Sequence, residues 1–224
     1  MKSRLVLISD THGRHEDLGV LPGGDILIHA GDFTDDIGRA SLRKFLTWFQ
    51  KQPHEHKIFI AGNHDGAFQK WPVLAKAMML EVAPGCTYLE DNMIYIRDLL
   101  FYGSPYTPTF GSWYFMKDKG PDMKSHWSKV SDMTDVLITH GPGDMLCLTN
   151  QNEFAGCNEL AERVCEVKPM LHVFGHIHRS YGIARRCMID VNTKLQDEVI
   201  SVNAASCGED YKICRKPIVV DLDK

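Results

Sequence analysis

Five short apolar runs, each ending in a polar motif, set the pattern of this chain. Arg4 to Ile8 (RLVLI) runs into Ser9-Asp10-Thr11-His12-Gly13, and Asp25 to Ala30 (DILIHA) into Gly31-Asp32. Lys57 to Ala61 (KIFIA) leads to Gly62-Asn63-His64-Asp65, Asp135 to Thr139 (DVLIT) to His140-Gly141-Pro142, and Leu171 to Phe174 (LHVF) to Gly175-His176-Ile177-His178. Short runs rich in Val and Ile, apolar on both faces, predict strands buried between layers. Between them, Ile37 to Gln52 carries Ile37, Leu42, Phe45, Leu46 and Phe49 at helical spacing, with Pro53 as its stop. Trp71 to Leu80 and Glu153 to Val167 are further predicted helices. Leu89 to Tyr102, Val199 to Val202 and Ile218 to Asp221 are predicted strands, and the aromatic, turn-rich stretch from Gly103 to Gly120 a long ordered loop. Strands alternating with helices predict an α/β architecture with the helices outside. The strand-rich later half predicts two packed sheets rather than one open parallel sheet.

The chain has 224 residues, 44% of them hydrophobic, enough to bury a sizeable core, and a single domain over 1–224 is expected. The net charge of -4 gives no overall basic footprint, so a nucleic-acid partner is not expected. The run from Leu5 to Ile8 is too short for a secretory signal, and no apolar run approaches a bilayer span, so no membrane partner is expected either. Seven widely spaced cysteines without a CxxC pair (Cys86, Cys147, Cys157, Cys165, Cys187, Cys207 and Cys214) read as reduced thiols in a cytoplasmic protein and disfavour a Cys-based zinc site.

Eleven His is a high count for this length. Asp10 and His12 stand at i and i+2, as do His176 and His178, a spacing that in extended backbone points both side chains to one side. Asp32, Asn63 and His140 add a carboxylate, an amide oxygen and another imidazole. These seven residues all sit at the ends of predicted buried strands, where α/β sheets bind ligands. Oxygen and nitrogen donors without sulfur suit Mn, Fe, Zn or Co better than Ca, and are richer in nitrogen than a Mg site. Seven ligands exceed what one ion uses while keeping an open position, and suit two divalent ions sharing a bridging carboxylate.

The ordered series DxH, GDxxD, GNHD, THG and GHxH resembles the calcineurin-like metallophosphoesterase superfamily, its blocks spanning Asp10 to His178. GDFTD, GSPYTPTFGSWYF, THGPGD, the stretch from Gly156 to Gly182 and Asn203-Ala204-Ala205-Ser206-Cys207 further resemble its metallophosphoesterase-domain-containing (MPPED) group. The resemblance implies a four-layer αββα sandwich, two mixed β-sheets flanked by helices. It implies one ion on Asp10, His12, Asp32 and His178, and a second on Asp32, Asn63, His140 and His176, with Asp32 bridging. Mn2+ is the first expectation for both ions, with Fe, Zn, Co or Mg as alternatives. Gly143 and Asp65 stand where relatives tend to have Pro and Glu.

The resemblance also implies the activity: a metal-dependent phosphodiesterase acting on small phosphodiesters, cyclic nucleotides foremost, by attack of a hydroxide bridging the two ions. His64 would protonate the leaving alkoxide. Asp35 matches the carboxylate that orients that His and would raise its pKa, and Asp65 is a weaker candidate for the same task. A phosphomonoesterase, a nuclease or a catalytically silent metal-binding scaffold are the alternatives. The Arg-Gly of the protein phosphatase motif GDxVDRG is absent after Asp35. Of the other histidines, His29 and His172 read as hydrogen-bonded core residues, His54 and His56 as solvent-facing, and His15 and His126 as structural or surface residues. Trp113, Tyr114 and Phe115 fit either a base-stacking role or a small hydrophobic cluster of their own loop. No residue is assigned to substrate binding.

Overall fold

The computed structural model describes residues 2–143, 147–148, 154–189 and 196–224, the side chains of 147–148, 154, 186–189 and 196–197 excepted. The first half of the chain runs β1 (Lys2–Ile8), β2 (Ile26–His29), α1 (Arg39–Gln50), β3 (His56–Phe59), α2 (Ala67–Lys70), α3 (Pro72–Val82), β4 (Cys86–Tyr88), β5 (Asn92–Ile96) and β6 (Leu99–Ser104). There follow β7 (Thr107–Pro108), β8 (Met116–Lys117), α4 (Pro121–Trp127), β9 (Val136–Thr139), β10 (Cys147–Leu148), β11 (Phe154–Ala155), α5 (Asn158–Val167), β12 (Leu171–Phe174), β13 (Gly182–Ile189), β14 (Gln196–Asn203) and β15 (Ile218–Asp223).

Two mixed sheets result, one in the order β15-β1-β2-β3-β4 and the other in the order β13-β14-β12-β9-β6-β5. β1, β2, β3 and β4 are parallel, with β15 antiparallel on the edge. In the second sheet β6, β9, β12 and β14 are parallel, flanked by antiparallel β5 and β13. Leu5, Leu7, Ile26, Ile28 and Ile58 of the first sheet share a core with Phe101, Val136, Ile138, Leu171 and Val173 of the second. On the far side of the first sheet, Val6, Ile8, Leu27 and Phe59 pack with Phe45, Phe49 and Phe68 of α1 and α2. On the far side of the second, Leu137 and Val199 meet Trp127 of α4 and Leu160 and Val164 of α5. The layers are therefore helix, sheet, sheet, helix, which explains why β1 is apolar on both faces while β15 alternates buried and exposed residues.

Several sequence expectations shift. The helix expected over Ile37–Gln52 starts at Arg39, and the one expected from Trp71 starts at Pro72, whose fixed φ suits the first helical position. The helix expected from Glu153 starts at Asn158, preceded by β11, with Glu153 itself outside the described residues. The loop Gly103–Gly120 begins as the end of β6 and contains the β7–β8 pair, with Phe115 fully buried. His54 is buried rather than solvent-facing, its ring against the Pro22 carbonyl, and His56 is only partly exposed. His29 and His172 are buried and bonded to Thr11 and Thr139. His15 and His126 are core residues, the former beneath Phe45 and Trp48 and the latter bonded to Ser104. Among the described cysteines, Cys86, Cys157, Cys207 and Cys214 are free thiols, while the side chains of Cys147 and Cys187 lie outside the described residues. No helix among the described residues is long and apolar enough to cross a membrane.

Candidate metal centre

The carboxyl ends of five parallel strands converge where the two sheets meet. Asp10 and His12 follow β1, Asp32 follows β2, Asn63 and His64 follow β3, His140 follows β9, and His176 and His178 follow β12. In such sheets the loops leaving the carboxyl ends form the ligand site. Asp10, Asp32, His12, Asn63 and His140 are all at most 3% exposed.

The Asp10/His12 and His176/His178 pairs do not converge through an extended pleat, as the spacing suggested. Asp10, His12, Asp32 and His176 have φ of 52°, 44°, 54° and 66°, and His178 opens a short 3-10 turn. Left-handed backbone at four non-Gly residues is a local cost that the surrounding hydrogen bonds must hold in place. The Asp10 N–H donates to the Gly31 carbonyl at 2.9 Å and the His12 N–H to the Asp32 carbonyl at 3.0 Å, tying the first two loops together. The His176 N–H donates to both carboxylate oxygens of Asp10 at 3.0 Å, tying the two sheets. Gly175 permits that approach, since a Cβ there would collide with the Asp10 carboxylate and with Ser9.

Three clusters of donor atoms result among the described residues: Asp10/His12/His178, His12/Asp35/His64 and Asp32/His140/His176. Each ring's outer partner fixes which nitrogen faces inward. His12 Nδ1 lies 2.5 Å from Asp35 Oδ1, His178 Nδ1 lies 2.9 Å from the Gly208 carbonyl, and His140 Nδ1 lies 3.0 Å from the Ala30 carbonyl. Carbonyls and carboxylates only accept, so in each neutral ring Nδ1 carries the hydrogen and Nε2 presents a bare lone pair. These lone pairs face other acceptors. His12 Nε2 is 3.2 Å from His178 Nε2, and His140 Nε2 is 2.9 Å from Asn63 Oδ1 and 3.2 Å from Asp32 Oδ2. His178 Nε2 lies 3.5 Å from Asp10 Oδ1. Acceptors packed against acceptors need a cation between them. In the protein alone that cation is a proton: burial would strip it from His140, yet the Asp32 carboxylate holds the imidazole up at about 9. Burial likewise opposes charge on Asp10, but its His178 hydrogen bond and the His140 charge pull it down to about 2. His176, buried and beside charged His140, falls to about 4 and so offers a free lone pair at neutral pH.

Asp35 stands beside His64, as expected, and also reaches His12. Its oxygen is bonded to His12 and stands 3.9 Å from His64 Nδ1, beyond hydrogen-bond range. His64 is correspondingly not raised; burial pushes its pKa down and the Asp32 and Asp35 carboxylates only partly offset this. Asp65 does not touch His64. Its carboxylate accepts from the N–H groups of Phe33, Thr34 and Gly62 and from the Thr34 hydroxyl at 2.8–3.2 Å, stapling the loops after β2 and β3. Burial and the nearby Asp32 charge push that carboxyl up to about 7, against the pull of those donors.

The clusters open into a cavity of about 450 Å³. Its mouth includes Phe110, Trp113, Arg179, Glu209 and Tyr211, of which the sequence points only to Trp113. Phe110 sits in the same aromatic loop as Trp113, and Arg179 directly follows the GHxH block. Glu209 and Tyr211 lie on a short turn whose text carries no chemical motif.

Residues 3–180 match the family model described as calcineurin-like phosphoesterase. Metallophosphoesterase domain-containing protein 1 of Homo sapiens is 36% identical to this chain, over 98% of the chain and 71% of that protein, and its Mus musculus counterpart gives the same figures. The crystal structure of TT1561 of Thermus thermophilus has the same fold, with a TM-score of 0.63 over 92% of each chain at 13% identity. With its motifs on the carboxyl ends of the strands of two helix-flanked sheets, the chain belongs to the calcineurin-like phosphoesterase family.

Proposed function

We propose that this protein is a divalent-metal-dependent phosphodiesterase acting on small phosphodiesters, with cyclic nucleotides as the foremost substrates. The observation that carries the reading is the inward-facing donor set: the Nε2 atoms of His12, His140 and His178, two carboxylates and an amide oxygen packed against one another in a buried site. Oxygen and nitrogen donors of this kind fit Mn2+ first, with Fe, Zn, Co or Mg as alternatives. Asp10, His12, Asp32 and His178 would hold one ion, and Asp32, Asn63, His140 and His176 a second, so that Asp32 serves both. When bound, two such ions supply positive charge for phosphoryl oxygens and lower the pKa of a water between them.

The chain's own residues do the rest. The outer partners Asp35, Gly208 and Ala30 keep His12, His178 and His140 in the ligating tautomer. The His64 N–H of the backbone donates to Asp32 Oδ1 at 2.8 Å, which fixes where its imidazole begins. That imidazole lines the cavity and is the proton donor for the departing alkoxide. Asp35, one oxygen between His12 and His64, holds the first ring directly and biases the second through its charge. The free thiols of Cys86, Cys157 and Cys207 support a reducing, cytoplasmic location.

The test is hydrolysis by Mn2+-loaded protein of bis-p-nitrophenyl phosphate, p-nitrophenyl phosphate, and 2′,3′- and 3′,5′-cyclic nucleotides. Turnover of the diesters above the monoester is expected. Monoester turnover alone would make it a phosphomonoesterase, and no turnover with two ions bound would make it a scaffold.

A further inference from the structure

Three large aromatic side chains stand at the mouth of the site with much of their surface in solvent: Phe110 at 42%, Trp113 at 47% and Tyr211 at 45% exposed. All three stand against imidazoles of the site. The Trp113 ring lies 4.4 Å from that of His64 at an interplanar angle of 32°. The Tyr211 ring lies 4.7 Å from His12, 5.2 Å from His178 and 6.4 Å from His64. Phe110 lies 5.1 Å from His176. Each cavity-lining histidine, His12, His64, His176 and His178, thus has an aromatic ring beside it, tilted for Trp113 and Phe110 and edge-to-face for Tyr211 on His12 and His178.

The loops hold two of these rings in place. In Trp113-Tyr114-Phe115, Phe115 is fully buried and its N–H donates to Gln69 Oε1 at 2.8 Å. The Tyr114 ring packs over Gly66, where any Cβ would strike it, and the Tyr114 N–H reaches the Asn63 carbonyl at 3.3 Å. Two anchored neighbours leave Trp113 as the residue presented to the cavity. On the other side, Tyr211 has φ of 58° and closes a tight turn, its N–H donating to the Gly208 carbonyl at 3.1 Å and the Gly208 N–H to Lys212. The same Gly208 carbonyl fixes His178, so the turn that presents Tyr211 is also part of the metal centre.

Resting on the phosphoesterase reading above, we propose that Trp113 and Tyr211 form an aromatic platform that receives a planar ring of the substrate beside the scissile phosphate, and so selects nucleotide-like or aryl phosphoesters over aliphatic ones. Flat π faces next to a highly polar centre match a ligand that is an anion at one end and a planar heterocycle at the other. Stacking on such faces tolerates any base, so the platform selects for a ring without choosing among purines and pyrimidines.

The test uses the whole chain loaded with Mn2+ and two probes that share ribose and phosphate, adenosine 5′-monophosphate and ribose 5-phosphate, with Kd read by calorimetry. Adenosine 5′-monophosphate is expected to bind about tenfold tighter, the size of one base stacked on aromatic side chains. The ratio should fall below about threefold in Trp113→Ala and in Tyr211→Ala, while Trp113→Phe retains most of it. Equal affinities in the wild type, or a ratio that survives in either alanine variant, overturn the platform. Binding of ribose 5-phosphate in that case leaves the phosphoesterase reading standing, whereas failure of both probes to bind overturns the two together.

Discussion

At the scale of single residues, the site is organised by what lies behind each candidate ligand. An imidazole can bind through either nitrogen, and in His12, His140 and His178 the choice is made by an acceptor on the outer side: a carboxylate, or a strand or turn carbonyl. Residues of similar type consequently have different tasks. Replacing Asp32, whose oxygens meet His140 and the His64 backbone, by Asn should empty the site of at least one ion, read as metal per chain by elemental analysis. Two retained ions would remove Asp32 as the shared ligand. His64→Ala should instead keep both ions and lower turnover by about 10²–10⁴-fold, the usual size of a proton-transfer contribution. Near-wild-type turnover would take His64 out of the chemistry.

At the scale of elements, the strand ends were legible because each buried strand advertises itself as an apolar run with a polar stop. β1, β2, β3, β9 and β12 all lie within or overlap those runs, and the residues after them meet at one place. The elements that the pattern does not reveal carry no such contrast. β4 is only Cys86–Tyr88, α4 is a seven-residue helix rich in polar side chains, and β13 is an edge strand that opens on Gly182 and carries the adjacent charges Arg185 and Arg186. The roles of Asp35 and Asp65 were also out of reach, since both follow strands at similar spacing and only the loop geometry separates them. Asp35 reaches His12, whereas Asp65 turns inward to bind four donors from two loops. Asp65→Ala would leave three buried N–H groups without their acceptor, at about 1–3 kcal/mol each. A drop in Tm of about 5–15 °C is expected, with weaker metal binding as the loops after β2 and β3 come apart. Unchanged Tm and metal affinity would show that those loops are held elsewhere.

At the scale of the whole molecule, the eleven histidines set an acid limit on stability. Burial lowers the pKa of His15 to about 4, of His29 to about 3 and of His126 to about 4, so the folded protein keeps them neutral. Below the ordinary His value of 6.5 the unfolded chain takes up protons that the folded chain refuses, and stability falls as pH drops from there towards 4. The Asp65 carboxyl, held up at about 7, works in the opposite sense but is one group against these three and His176, which falls to about 4. Metal-free protein should therefore show a Tm that declines between pH 6.5 and 4.5, followed by circular dichroism; a Tm that rises over that window would contradict the buried neutral state of these rings. The charge balance has a second consequence. Asp10 and Asp32 contribute to the net -4, and the two divalent ions proposed beside them would turn the local potential positive towards an incoming phosphoester, which would reconcile a mildly acidic protein with an anionic substrate.

The metal dependence itself gives the most direct measurement. Chelator-stripped protein is titrated with Mn2+ while the hydrolysis of bis-p-nitrophenyl phosphate is followed. Activity absent without metal, rising with added ion and levelling off at two equivalents per chain, is the predicted result. Hydrolysis that persists in the stripped protein, or none when two ions are bound, would contradict a dinuclear phosphodiesterase.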